Sequence, residues 1–365
     1  MKIEVGNRLD RHWFIPFCNN KEIDRIVSPK NASDFLLQEK ANIVADNMRY
    51  LRVYMNKARI FPNWSFEKSF SNHHYQEVIK NLTADDKSNC KSITFGDMFS
   101  NDVNGYAIKN PIWGRIICLN ESLQFFMKFC NLALFNFNQD VPKKIRLNSL
   151  RIAIRIILKQ EAMDFFMDPR GIVPKDVGIA IHAPIKYELQ YIAGHEFAHY
   201  LCEHFNDRNI CPQKMLSIGE TEYLRPIYNT SQKQEVEADI ASINRPEYSS
   251  EEYSKILEGA LIWFISLELS ETAQYIISPP SSYSIKTHPS AQERFINLLE
   301  NTNMPVDFNM GVIHKIQENA KWLKELLEED LSFNYDLYDF YGSVYLDKPN
   351  TKWRGKKLID RVDYY

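Results

Sequence analysis

Three residues in the stretch HEFAH, His195 to His199, have the types and spacing to hold and use a metal ion. In a helix each residue advances by about 100°, so His199 lies about 40° round from His195 and Glu196 about 100°. Neutral imidazoles at i and i+4 can both reach one zinc ion at about 2.0–2.1 Å. Glu196 then stands beside the ion rather than on it, where a carboxylate can take the proton of an attacking water. The same residues also fit a solvated helix face that happens to carry His and Glu. A third protein ligand separates the two readings, because a catalytic zinc site uses three and keeps one position open.

The elements that must position such a site can be read around it. Leu189, Ala193, Phe197, Leu201 and Phe205 recur every four residues. They predict an amphipathic helix that buries this stripe and presents the histidines on its other side. Gly194 costs about 1 kcal/mol in a helix, which calls for a close neighbour such as a strand. Downstream, QKQEVEADIASI (Gln232–Ile243) reads as a second helix, capped by Thr230 or Ser231. Glu235 and Asp239 fall one turn apart on one face of it. Glu235 is the candidate third ligand, and Asp239 can accept a hydrogen bond from a ligand histidine and fix its tautomer. An acidic helix start favoured by the helix dipole is the plainer reading of both. Glu237 points about 160° away from Glu235 and is a poorer partner for the same ion.

HExxH followed by a helix with E-x-x-A-D resembles the gluzincin metallopeptidases, in particular the group of the CAAX prenyl proteases and the heat-shock protease HtpX. Two flanking segments run in the same order. NGYAIKNPIWGRIICLNESL (Asn104–Leu123) resembles that group's N-A-F-A strand with the strand and helix that follow, and THPSAQERFINLL (Thr287–Leu299) resembles its HP…R segment. The resemblance implies one zinc per chain on His195, His199 and Glu235, with Glu196 as general base. It also implies that Asn104 and His288 donate hydrogen bonds to the oxyanion, and it places Arg294 near the site. His288 can equally open a helix as a plain His-Pro pair, and Arg294 can serve a structural ion pair. The implied activity is hydrolysis of a peptide bond in a protein substrate. The departures from the group are a lack of membrane-spanning stretches, a long insertion before the zinc helix and an added C-terminal segment. They point to a soluble form, similar to soluble phage-exclusion peptidases, with a regulatory or defence role and an activating partner as one version. A zinc-stabilised binding protein without catalysis is the alternative.

The remaining chain fits an α+β protein in three regions. Residues 1–92 read as mainly helical, 93–305 as a mainly helical zincin-like core with a small sheet, and 306–365 as a C-terminal helix and aromatic tail. One long helix is expected over ASDFLLQEKANIVADNMRYLRVYMNKARI, opened by Asn31 or Ser33, and another over Ser149–Phe166. GRIICLN reads as a strand followed by a helix opened at Asn120, and DVGIAIHAP (Asp176–Pro184) as an edge strand on which an extended peptide could pair. TADDKSNC (Thr83–Cys90) reads as a polar boundary, and Asn72–His74 as an exposed turn. Glu203 either orients His199 or faces solvent. GALIWFISLEL (Gly259–Leu269) is too short to span a bilayer and reads as a core helix. The tail from Phe333 fits either a binding surface or a segment packed over its own core, and KWRGKK (Lys352–Lys357) a solvated basic face. A net charge of −3 gives no reason to expect a nucleic-acid partner. The polar N-terminus and six cysteines without a CxxC pair lead to an expected cytoplasmic location, with Cys202 and Cys211 as packing residues.

Overall fold

The computed structural model describes residues 9–100, 102–137, 139–206, 210–214, 224–228, 232–279, 289–347 and 362–364. The fold is mostly helical with small sheets, an α+β protein. The N-terminal third contributes α1 (Leu9–Phe14), α2 (Asn20–Val27), α3 (Ala32–Asp46), α4 (Met48–Ile60), α5 (His73–Asn81) and α6 (Ala84–Cys90). The expected single helix over 32–60 is two, with Asn47 between them. Its backbone N–H bonds to Val44 O to close α3, while its side chain accepts the Arg49 and Tyr50 N–H groups to open α4. A short side chain that can serve both ends favours the break over continuation. Asn31 caps α3. The expected boundary at Thr83–Cys90 is instead α6, capped by Thr83, and its Asp86 is buried against Arg245 at 2.7 Å. The expected exposed turn at Asn72–His74 instead opens α5, where His74 is buried 2.8 Å from Asp97.

A mixed sheet follows: β1 (Ile93–Phe95), β2 (Gly105–Asn110) and β3 (Gly114–Leu119), in the order β1-β3-β2. β3 runs parallel to β1 and antiparallel to β2, so β2 is an edge strand of this sheet. Then come α7 (Ser122–Leu134), α8 (Lys143–Ile157) and α9 (Lys175–His182). The helix expected through Phe166 stops at Ile157, because Lys159 turns left-handed (φ 61°) and the chain leaves to meet the C-terminal tail. There Glu161 sits between Arg155 and Arg170 at 2.8 and 2.7 Å, all three side chains fully buried. The expected edge strand at 176–184 is the helix α9. Val177 and Ile181, spaced by four, face the core, and Ile179 between them is exposed. The apolar run fits both periods, and Pro174 at the cap position fits the helix start.

α10 (Ile185–Leu201) carries HEFAH through the middle of the molecule, among α5, α7, α12 and the sheet. It is buried on nearly every side, unlike the half-exposed helix expected from its apolar stripe. The hairpin β4 (Ile210–Lys214) and β5 (Leu224–Tyr228) and the helices α11 (Gln232–Asn244), α12 (Ser250–Ile277), α13 (Ala291–Asn301) and α14 (Met310–Phe333) complete the main body. β6 (Gly342–Val344) pairs with β7 (Val362–Tyr364). The tail packs on its own core: Val344, Tyr345 and Leu346 are buried, and Asn148 Nδ2 donates to Tyr345 O and Leu346 O. One apolar cluster runs from Phe14 to Leu346. GALIWFISLEL lies within the buried part of α12. Among the described residues no helix is long and apolar enough to cross a membrane. Thr230, Ser231, His288 and Lys352–Lys357 lie outside the described residues.

Two turns before His195, α10 buries a carboxyl group. Glu188 accepts a hydrogen bond from Asn131 Nδ2 at 3.2 Å, and burial lifts its pKa from 4.5 to about 8. The folded chain therefore holds a proton that the unfolded chain has lost, and stability falls by roughly 1.4 kcal/mol per pH unit between the two values. Glu188→Gln removes that slope. Urea unfolding should find the variant no more stable than wild type near pH 4.5 and clearly more stable at pH 8; a pH-independent difference would show that the carboxyl is not held neutral.

Candidate metal centre

His195 and His199 sit one turn apart on α10, and their Nε2 atoms face each other at 3.0 Å. α11 crosses this face and delivers Glu235, whose carboxylate oxygens lie 3.5 Å from His195 Nε2 and 3.6 Å from His199 Nε2. The three residues are 4–6% exposed. They form one of two groups of His, Cys, Asp or Glu among the described residues whose ligand atoms lie within 4.8 Å of one another. The close crossing has a local cause. A Cβ on Gly194 would stand 3.3 Å from Ser242 O and 3.4 Å from Ser242 Cβ, so the missing methyl lets α11 lie against α10. The close neighbour is a helix, not the strand expected from sequence.

Behind His195 stands Asp239. Its Oδ1 is 2.8 Å from His195 Nδ1 and accepts from Tyr191 OH at 2.7 Å. Arg294, from α13, clamps the same carboxylate through Nε and Nη2 at 2.7 and 2.6 Å. Burial raises the Asp239 pKa, but Arg294 and His195 outweigh it and hold the group down to about 2. An ionised Asp239 keeps the His195 proton on Nδ1 and turns the Nε2 lone pair towards Glu235. His199 is oriented in a similar way. Its Nδ1 lies 2.9 Å from His204 Nδ1, so donation to His204 frees its Nε2 as well. Glu203 makes this contact possible: in the left-handed conformation (φ 59°) it turns the chain back after α10, and its own side chain is exposed.

Two lone pairs and a carboxylate converging in a buried space repel one another unless a cation lies between them. Burial pulls the His195 pKa down, yet Asp239 and Glu235 overcome this and lift it to about 10, while burial and His195 push His199 well below its usual value. The set thus draws in positive charge. A tetrahedral ion bound at about 2.0–2.1 Å separates its ligand atoms by roughly 3.4 Å. The 3.0 Å between the two Nε2 atoms, and the 3.5 and 3.6 Å from them to Glu235 Oε2 and Oε1 respectively, lie near that spacing, and two imidazoles with one carboxylate suit a borderline divalent ion.

Glu196 is also buried, 7% exposed, and reaches across to the start of β2. A Cβ on Gly105 would stand 2.9 Å from Glu196 Oε1 and 2.5 Å from Leu119 Cδ2. Asn104, next to Gly105, is exposed, and its backbone carbonyl accepts the Asn120 N–H at 3.1 Å. Arg294, itself half-buried, is the ion-pair partner of the buried Asp239, with Nη2 3.8 Å from Glu235 Oε2. Sequence reasoning missed Tyr191 and His204. Tyr191 lies one turn before His195, a spacing that could have drawn attention to it. His204 follows the end of the helix and carries no periodic signal.

No protein-family model, curated protein or solved structure matches the chain.

Glu235→Gln should remove tight zinc binding, whereas Asp239→Asn should weaken it about 10- to 100-fold, the usual cost of losing a ligand's hydrogen-bond partner. Chelator competition on the purified variants, with thermal unfolding alongside, measures both. Zinc held equally well by Glu235→Gln would remove it from the ligand set.

Proposed function

We propose that the protein is a zinc-dependent endopeptidase of gluzincin type. The observation that carries this reading is the convergence of His195 Nε2, His199 Nε2 and the Glu235 carboxylate, with Glu196 on the same helix beside them. The resemblance of the HExxH and E-x-x-A-D segments to that family supports the same assignment. A zinc ion held there polarises a carbonyl and lowers the pKa of water. Glu196 takes the proton of the attacking water and returns it to the leaving amine. Asp239 keeps His195 in the required tautomer, Arg294 holds Asp239 ionised, and Tyr191 donates a hydrogen bond to it.

In this reading the substrate lies along β2. This strand is at the edge of its sheet, and its first residue, Gly105, touches Glu196. An extended peptide adding to this edge by main-chain hydrogen bonds would carry its scissile bond past the base. This replaces the edge expected at 176–184. Asn104, at the same end of β2, would donate to a developing oxyanion in this reading. His195, Glu196, His199 and Glu235 are only 4–7% exposed, which supports the version in which a partner or the substrate itself opens the site.

The test is hydrolysis of an unfolded protein such as reduced casein by zinc-loaded chain, with new N-termini sequenced. Cleavage should require zinc and fall by at least about 10³-fold in Glu196→Gln, consistent with loss of a general base and its positioning. That variant should keep its ion. A wild type as inactive as Glu196→Gln, both zinc-loaded and tested with cell extract as a source of partners, would instead favour the zinc-stabilised binding protein. Gly105→Ala should also lose most activity while keeping its zinc, because the new methyl displaces Glu196 and not the ligands; unchanged activity would place the base elsewhere.

A further inference from the structure

A second group of ligand atoms lies on the far side of His199. Cys202 Sγ, His204 Nε2 and a Glu237 carboxylate oxygen lie within 4.8 Å of one another. His204 is 5% exposed, and its Nε2 is buried without a hydrogen-bond partner. It faces Glu237 Oε2 at 3.5 Å, beyond an ordinary hydrogen bond. A buried imidazole nitrogen with a carboxylate 3.5 Å away and a thiol within 4.8 Å is in place to share an ion with them. Cys202 and Glu237 line a groove of about 1000 Å³ between α11 and α13, and the Glu237 side chain is 54% exposed, so an ion has a path from solvent. Arg245, the cation beside Cys202, is already neutralised by Asp86, which accepts from its Nε and Nη2 at 2.7 and 2.8 Å.

We propose that Cys202, His204 and Glu237 form a second divalent-cation site, and that filling it weakens the hold on an ion at His195, His199 and Glu235. The donor set of thiolate, imidazole and carboxylate suits zinc or cobalt(II) and leaves one position open. Binding releases the Cys202 thiol proton to solvent. The coupling, which rests on the metal centre proposed above, follows from the facing Nδ1 atoms of His199 and His204, 2.9 Å apart, with room for one proton between them. When His199 carries that proton, its Nε2 lone pair serves the first site and His204 keeps its own proton on Nε2. When His204 carries it, the His204 Nε2 lone pair serves the second site and His199 Nε2 is protonated. Both rings stay neutral in either arrangement. Only one of the two Nε2 atoms offers a lone pair at a time.

The test is titration of the metal-free full chain with cobalt(II), followed by absorption. A thiolate ligand adds a near-ultraviolet sulfur-to-cobalt charge-transfer band, which the first triangle, lacking sulfur, cannot produce. The band should appear in wild type, vanish in Cys202→Ser and weaken strongly in Glu237→Gln. No band at saturating cobalt, or the same band in Cys202→Ser, overturns the second site and leaves the first untouched. Zinc affinity at the first site, read by chelator competition, should fall about five- to 150-fold when cobalt fills the second site, the usual range of coupling between sites. Cys202→Ser should not show this fall. Equal affinities in both proteins overturn the coupling. A band in wild type together with zinc binding indifferent to Glu235→Gln defeats the first site's assignment and the coupling with it.

Discussion

The Asp239 carboxylate is the point on which the site's geometry rests. It is 1% exposed and takes contacts from Tyr191 and His195 on α10 and from Arg294 on α13, while itself belonging to α11. Three helices therefore meet at one charge. Burying a lone carboxylate is prohibitive, so the guanidinium and the two further partners are conditions for the packing and not additions to it. The same contacts set the rotation of the His195 ring, and through it the direction in which a ligand lone pair points.

A helix carrying HExxH could have been expected to lie on the surface, with its polar face in water. Here the polar face is inside. α10 is covered by α11 and α12 and by the sheet, and the histidines, Glu196 and Glu235 share that interior. The arrangement is possible because Gly194 lets α11 come within contact distance, and because each polar group meets another polar group at once. Burial lowers the local dielectric and strengthens every charge interaction in the set. It also makes the set intolerant of an unbalanced charge.

What could be read from sequence follows from how far each signal reaches along the chain. The pairs His195 with His199 and Glu235 with Asp239 are each one helical turn apart, so their shared faces follow from helix geometry alone. That the two faces meet was an expectation from resemblance, and the Gly194–Ser242 crossing is where they do. Arg294 could be placed near the site only through the resemblance. Tyr191 shares a helix face with His195, but its contact to Asp239 forms only once α10 and α11 pack, and His204 acts after the chain reverses at Glu203, where no period remains to detect. The misread elements fail for local reasons. Val177, Ile179 and Ile181 alternate as a strand would, yet Val177 and Ile181 also satisfy a helix, and burial chose the latter. Asn47 is an unremarkable residue in a helical pattern until it caps two helices at once.

Charge connects the buried set to the ion proposed for it. Among the described residues, Glu196, Glu235 and Asp239 bring three carboxylates together, with the Arg294 guanidinium against Asp239 and 3.8 Å from Glu235. Against the effect of burial, Asp239 and Glu235 lift the His195 pKa to about 10, so the set favours added positive charge. A divalent cation held there, as proposed above, would supply that charge and let the two imidazoles remain neutral. It would bridge α10 to α11 directly and, through His195 and Asp239, to α13. Ion binding and the docking of these helices then draw on the same free energy, so that whatever loosens the α10–α11 crossing loosens the ion as well.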